Sequence, residues 1–492
     1  MPTDTPRDGG GASTGHREVS SVNADRRIMS DAVLAAGGRP EFRMGVSWGP
    51  TYGFPPSRAE TFMPQARQLG ATASRITLYW SQLEPQKGVE RWDDLDAYLQ
   101  QLDTEDEGMI TLASASPWAT HTNAWVFPSS LAKDQDAYCS FVQRVVKYAR
   151  GRVRIFQNET EPSNPFFWLG SAEEYAAQHR LFYRSVREAD GSAVVALAGF
   201  NGLFDPTGAD PLPEEAANLV FLKKILENAG ETYDVFDIHL YGNPYTIPAR
   251  IEAVRQMMHA AGQERPVIVG EYAGPSFFEF ASNRRWYPEL EGAGASVENV
   301  RRLRKNAASL PVETRMFLET ADAEMAARLL RLQSTDLVAR NLLALASGVT
   351  RTAFFDLWHD VPDADAPNAV LWGASRLLDH NDAGALRREL PLSRPFERLA
   401  TALAGATQAR RIPVETDGDV YAFRVERNDR GPLLVAWRRA ANPVESCAAL
   451  SVKIQWAEAI TRGIVIDGTD AIFTTDKDGL VISVANIPVL ID

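Results

Sequence analysis

The stretch FQNETEPSN, residues 156–164, carries two carboxylates two residues apart, Glu159 and Glu161, with Pro162 behind the second. A third carboxylate, Glu271, stands in RPVIVGEYAGP (265–275). His239 and Tyr241 share the run DVFDIHLYGNP (234–244), Arg75 lies in SRITLYW (74–80), Trp118 in SPWAT (116–120) and Trp358 in FFDLWHD (354–360). Two facing carboxylates can divide labour: a protonated one serves a leaving oxygen, and an ionised one attacks carbon or activates water. Aromatic faces beside them suit a ring with one apolar side and hydroxyl edges, as sugars have. His239 has no serine or cysteine partner at another strand end, so these residues assemble no nucleophilic triad.

Such groups converge only if the chain brings distant strand ends together. Short apolar runs at 42–48, 73–80, 109–116, 153–159, 193–200, 233–241, 265–272 and 350–358 alternate with amphipathic helical stretches. Strands followed by helices in this rhythm predict a (β/α)8 TIM barrel, whose sites sit at the C-terminal strand ends. Every candidate above falls at or near such an end. The rival, an open doubly wound sheet, would want a glycine-rich phosphate loop after an early strand, and the sequence has none. Beyond 407 the texture changes to short alternating strands joined by Gly, Asp and Asn turns, as in VYAFRVERNDRGPLLVAWRR, which predicts an appended antiparallel β-sandwich. The expected division is an N-terminal arm at 1–38, partly disordered because it is polar and Gly/Ser-rich, a barrel at 39–407 and a sandwich at 408–492.

The chain has 492 residues and a net charge of −13, which argues against a nucleic-acid surface. Its two cysteines, Cys139 and Cys447, exclude a disulfide framework and show no metal-ligand spacing; both read as small buried side chains. Arg26-Arg27 precede an apolar run too short, and broken by Asp31, to serve as a twin-arginine export signal. No stretch approaches the length of a membrane span. The expectation is a cytoplasmic protein that needs no metal or cofactor, with a carbohydrate as its partner and the oligomeric state open.

With these residues in place, the chain resembles the clan of retaining glycoside hydrolases with barrel folds, over nearly its whole length. RITLYWSQLEPQKGVERWDDLDAYL is similar to the clan's second-strand pattern, SASPWAT to its third, DVFDIHLYG to its sixth and PVIVGEYAGP to its nucleophile strand. The terminal sandwich, with LLVAWRR and IPVLID, is similar to that of family 39 and some family 5 members. The resemblance implies Glu271 as nucleophile and an acid/base glutamate after the fourth strand. The usual form there is aromatic-Gln-x-x-Asn-Glu-Pro. Laying FQNETEP on it matches Phe156, Gln157, Glu161 and Pro162 but puts Thr160 where Asn is expected. The alternative takes Asn158-Glu159 as the Asn-Glu pair and loses the proline. The first alignment keeps more positions and is preferred. Because side chains two apart share a strand face, Glu159 would also point inward, to a sugar hydroxyl or to Arg75. Asn158 or Thr160 would then meet the substrate, beside Arg75, Trp118, His239, Tyr241 and Trp358. Arg75 would neutralise charge near Glu271 and Tyr241 would position it. The activity implied is hydrolysis of β-linked glycosides by double displacement.

The segment 276–319 exceeds by far the roughly 2–6 residues usual between a barrel strand and its helix. Its aromatic start suits a lid over Glu271, lined by Phe277, Phe280 and Trp286, that favours short, exo-cleaved substrates; SVENVRRLRKNAAS (296–309) reads equally as an extra surface helix with solvated arginines.

Overall fold

The computed structural model describes residues 41–47, 62–201, 213–291, 294–359, 361, 363–381, 385–414, 416, 419–476 and 479–492. The N-terminal arm and the end of the first predicted strand at Trp48 lie outside them.

Eight parallel strands form the predicted barrel: β1 Arg43–Ser47, β2 Ala73–Tyr79, β3 Glu107–Ala113, β4 Ile155–Asn158, β5 Val194–Ala196, β6 Phe236–Leu240, β7 Val267–Tyr272 and β8 Arg351–Phe355. Their order runs β5-β4-β3-β2-β1-β8-β7-β6, and the parallel bridges Ala196–Val235 and Phe200–Ile238 join the two ends. A helix follows each strand: α1 Met63–Gln68, α2 Asp93–Gln101, α3 Gln135–Ala149, α4 Ala172–Ala189, α5 Pro213–Ala229, α6 Ile247–Ala260, α7 Ala323–Ala346 and α8 Ser393–Leu403. Local chemistry starts several of them. Ser171 accepts from the Glu174 N–H at 3.2 Å while Glu174 accepts from the Ser171 N–H at 2.8 Å, a reciprocal cap on α4. Asp134 caps α3 through the Ala137 N–H at 3.0 Å.

Alternation along the strands sorts the side chains. One interior layer is apolar: Met109, Ile155, Val194, Ala196, Val235 and Ile268. At the N-terminal mouth, Glu107 at the start of β3 takes two hydrogen bonds from Arg351 at the start of β8, at 2.7 and 3.0 Å. Burial opposes ionisation of Glu107, but Arg351, with Arg43 and Arg154, overcomes it and holds the carboxyl below its usual range.

After α7 and β8, a hairpin of β9 Leu378–His380 and β10 Leu386–Glu389 leads into α8. The rest is antiparallel. One sheet orders β11 Ala406–Arg411, β12 Val420–Arg427, β13 Leu433–Arg438, β18 Val489–Ile491 and β15 Gly463–Val465. The other orders β14 Leu450–Ile454, β17 Gly479–Val484 and β16 Phe473–Asp476. The predicted sandwich is therefore present. It shares apolar core with the barrel, since Tyr421, Phe423, Val435 and Trp437 belong to the same buried cluster as Phe354 and Phe396. Trp437 Nε1 donates to Tyr245 Oη at 3.0 Å across the junction.

The segment after β7 departs from its expected role. It folds into short helices, including Val297–Lys305 and Val312–Leu318, around a second buried cluster that contains Phe277, Leu290, Val300, Leu303, Met316 and Phe317 and also takes in Met325 and Leu329 of α7, Val370, Leu371 and Val444. Phe277 is fully buried there, and Trp286 packs against the same cluster. The aromatic run thus serves the insertion's own stability and forms no lid; Phe280 alone of the three lines a cavity (described below). Cys139 and Cys447 are unbonded and half-buried, not fully buried as expected.

Candidate active site

Glu271, near the end of β7, is the centre of a polar cluster at the C-terminal mouth. Arg75 of β2 donates from Nη1 to Glu271 Oε1 at 2.5 Å, and Tyr241 Oη donates to Oε2 at 3.0 Å. Arg75 is itself fixed on every side. Its Nε and Nη2 donate to Gln157 Oε1 at 3.1 and 3.0 Å, Nη2 also to Thr160 Oγ1 at 2.9 Å, and Nη1 to Ser47 Oγ at 3.3 Å. Such a guanidinium cannot swing away, so Glu271 keeps one orientation.

Glu161 completes the cluster from beyond β4. His239 Nδ1 lies 2.7 Å from Glu161 Oε1 and 3.5 Å from Glu271 Oε2. Carboxylate oxygens of both glutamates and His239 Nδ1 all fall within 4.8 Å of one another. Burial alone would lower the His239 pKa. Glu271, Asp237 and Glu161 together reverse this and hold it at about 10, so the ring is an imidazolium at neutral pH. Nδ1–H then donates to Glu161, and Nε2 faces Asp237 Oδ2 at 3.6 Å. Burial, then the charges of Glu271 and Glu161, push the Tyr241 hydroxyl well above its ordinary value, which keeps it a donor. The trio Glu161, His239 and Glu271 is the one group among the described residues with ligand types close enough for a cation. Here Arg75, Tyr241 and the imidazolium already donate to those oxygens.

Local backbone decides which glutamate of FQNETEPSN enters the site. β4 ends at Asn158, and Glu159 and Glu161 then take φ of +61° and +40°. Both are left-handed values that side chains with a Cβ rarely adopt. The Glu159 N–H donates to Leu112 O of β3 at 3.2 Å and the Glu161 N–H to Gly199 O, just beyond β5, at 3.0 Å, so the two neighbouring units hold the turn. Strand alternation would have kept Glu159 on the inner face with Gln157. The positive φ cancels it. Glu159 instead lies fully buried behind β4, where its Oε1 accepts from the Ser114 N–H at 2.8 Å, with Gln178 of α4 at 3.5 Å. The expectation that Glu159 meets a sugar hydroxyl or Arg75 is corrected. Burial raises its pKa to about 7, against the Ser114 and Ser129 hydrogen bonds.

Three further expectations fail on packing grounds. Asn158 faces the helix layer: Tyr138 of α3 donates to its Oδ1 at 2.8 Å, and Tyr175 of α4 to its carbonyl at 3.0 Å. Trp118 donates to Glu84 O at 2.8 Å and sets its ring edge-on to Trp80, which stacks on Phe141 of α3. Trp358, 6% exposed, packs on His380 with ring centroids 4.5 Å apart. The aromatics that continue the site are ones sequence reading missed. Trp372 lies edge-on to Tyr241 at 5.7 Å and to Phe355 at 5.7 Å. Arg75, Thr160, His239 and Tyr241 do converge on Glu161 and Glu271. Thr160 spends its hydroxyl on Arg75.

Gln157 and Asp237 were also missed as members of the cluster. Gln157 Nε2 donates to Asp237 Oδ2 at 2.8 Å, and its Oε1 accepts from Thr111 at 2.7 Å as well as from Arg75. Asp237 stands two residues before His239 on β6, so the period of two could have found it. Gly199 could not have been read: a Cβ there would fall 1.9 Å from His239 Nε2, so only glycine admits the ring.

No family model matches the chain and no curated protein matches it in sequence. Solved structures do match in fold. A family 39 glycoside hydrolase from the gut symbiont Bacteroides cellulosilyticus WH2 aligns at TM-score 0.59 and 15% identity, over 91% of this chain and 80% of that one. The catalytic domain of GH30 xylanase C from Talaromyces cellulolyticus aligns at 0.53 and 13%, over 92% and 96%. The GH39 enzyme from Xanthomonas axonopodis pv. citri aligns at 0.51 and 13%, over 92% and 93%. The class is thus the barrel fold shared by glycoside hydrolases of several families. Among the described residues no helix is long and apolar enough to cross a membrane.

Proposed function

We propose that this chain is a retaining glycoside hydrolase acting on β-linked carbohydrate substrates, with Glu271 as nucleophile and Glu161 as acid/base. The observation that carries the reading is the pair of carboxylates flanking His239 with oxygens within 4.8 Å of each other, a spacing nearer the roughly 5–5.5 Å of retaining enzymes than the roughly 6.5–9.5 Å of inverting ones. Arg75 and Tyr241 hold Glu271 aimed through hydrogen bonds to both of its oxygens. Glu271 attacks the anomeric carbon, and the bond to the leaving oxygen breaks as that oxygen takes a proton from Glu161. Glu161 can draw its proton from His239 Nδ1 along the 2.7 Å hydrogen bond. As Glu271 becomes an ester its charge disappears, and the imidazolium loses one of the anions that sustains it. Glu161, now ionised, takes a proton from water, whose oxygen attacks the anomeric carbon and displaces Glu271, and the proton on Glu161 returns to His239 Nδ1.

The test is a panel of activated aryl β-glycosides of pentoses, hexoses and uronic acids, with Glu271→Gly and Glu161→Ala. Glu271→Gly loses hydrolysis and regains turnover with azide, giving a β-glycosyl azide. Glu161→Ala spares substrates whose leaving groups need no protonation. Equal losses on good and poor leaving groups place the acid elsewhere, and a wild-type chain that binds but cleaves nothing is a carbohydrate-binding barrel.

A further inference from the structure

A cavity of about 830 Å³ opens next to Tyr241, between the barrel and the sandwich. That is within the roughly 300–1,000 Å³ of ligand pockets. Its walls come from the ends of β5 and β6 (Asn201, Tyr241), the insertion after β7 (Phe280, Arg284), α7 (Leu332, Thr335) and the sandwich (Arg438, Asn486). Tyr241 belongs to both sites. Its hydroxyl donates to Glu271, and the residue also lines the cavity, so the two sites meet at Tyr241.

The charges lining it are not balanced. Three carboxylates face the cavity, and two arginines hold them. Asp336 is held by Arg340 of the same helix, Glu279 lies 3.6 Å from Arg340, and Asp419 lies 3.8 Å from Arg439. Arg284 and Arg438 have no such partner among the described residues. Arg284 Nε donates to Phe278 O at 3.4 Å and Arg438 Nη1 to Ala448 O at 3.0 Å, contacts with carbonyls that leave both charges uncompensated. Phe280, Pro275 and Leu332 add apolar surface between these polar groups. Apolar patches flanked by guanidinium forks suit a sugar ring bearing an anionic group.

We propose that this cavity is a subsite for an anionic sugar unit, carrying a carboxylate or a sulfate, that Arg284 and Arg438 recognise. The proposal rests on the glycosidase reading only for the link through Tyr241. The appended sandwich thereby becomes part of substrate recognition, because Arg438 ends β13.

Equilibrium binding of simple sugars tests this without any turnover. Glucose, glucuronate, galacturonate and glucose 6-sulfate are titrated into the full wild-type chain by calorimetry, at low and high salt. At least one anionic probe binds about tenfold more tightly than glucose, and the preference weakens with salt. Uronates binding while the sulfate does not assigns the group as carboxylate; the reverse assigns sulfate. Arg284→Ala and Arg438→Ala each reduce the preference, and together they abolish it. Arg301→Ala, an exposed arginine paired with Asp365 at 2.9 Å, leaves it intact. Both arginines are outside the core, so thermal melts confirm that the variants fold. Equal binding of neutral and anionic probes, no binding of any anionic probe, or a preference that survives the double variant overturns the proposal. Failure of the glycosidase reading is separate: no glycoside is cleaved, while the binding preference stands.

Discussion

Glu159→Gln separates the two glutamates of the opening motif by thermodynamics. Glu159 is fully buried, with Ser114 N–H on one oxygen and the other without a hydrogen-bond partner. Burial raises its pKa from 4.5 to about 7. The folded chain therefore holds a proton that the unfolded chain has released, and stability falls as pH rises from 4.5 through about 7, then levels off. At about 1.36 kcal/mol per tenfold change in proton affinity, the difference from 4.5 to about 7 amounts to about 3 kcal/mol above neutrality. Glutamine mimics the protonated carboxyl and cannot ionise: its oxygen still accepts from Ser114. The variant should match wild type in thermal melts near pH 4 to 5 (about the unfolded value) and exceed it at about pH 8. At roughly 1–2 °C per kcal/mol for a chain of this size, the gap is ~3–6 °C. Hydrolysis at pH 6 or so should be near wild type, whereas Glu161→Gln removes it on poor leaving groups. Parallel pH dependence in wild type and variant, or a variant less stable at every pH, would refute the assignment of Glu159 as a buried neutral group. Loss of hydrolysis in Glu159→Gln with the fold intact would return the acid/base role to Glu159.

Tyr241→Phe removes one hydrogen bond from Glu271 and should lower kcat by about 10-fold with the melt unchanged; an unchanged kcat means that Arg75 alone positions the carboxylate. Gly199→Ala drives a Cβ to 1.9 Å from His239 Nε2, so hydrolysis should fall by roughly 100-fold as the ring is displaced, a result that a crystal structure of the variant would check directly. Arg351→Met leaves Glu107 buried without its main cation and should cost about 3–5 kcal/mol in stability, read by melting, while kcat of the folded fraction holds because the pair lies at the opposite mouth. His239 has its pKa raised from 6.5 to about 10, so its stabilising charge is complete below 6.5 and is lost as pH rises through about 10; proton NMR of the ring should show no titration between these limits. A midpoint near 6.5 would show that the three surrounding carboxylates do not hold the proton.

Much of this architecture was legible because barrel strands carry their own signal. Apolar runs such as RPVIVGEY and DVFDIHLY are bounded by polar helices, and all eight strands occur where those runs stand. Residues on regular strands were also legible. Arg75, His239 and Glu271 lie inside strands, where a fixed alternation ties sequence position to direction. Two aromatics misled because a tryptophan at a strand end is equally content to pack sideways. Trp118 found Trp80 and Trp358 found His380, contacts between segments far apart in the chain. The aromatics of 276–319 were read as a lining when they were a core, since burying Phe277 needs only partners such as Phe317 from the same insertion.

The sequence by itself determined the strand–helix rhythm, the appended sandwich and the identity of the carboxylates, because these follow from composition and period along one stretch of chain. Only the tertiary structure decided which of Glu159 and Glu161 faces Glu271. Their positive φ values are sustained by hydrogen bonds to Leu112 on β3 and Gly199 beyond β5, in segments that share no local sequence with them. The same holds for His239. Its charge comes from Glu161, Asp237 and Glu271 closing around it, and its place from the missing side chain of Gly199. Local preference can set a period, but the direction of a side chain after the period breaks, and the proton it carries, depend on what the fold brings against it.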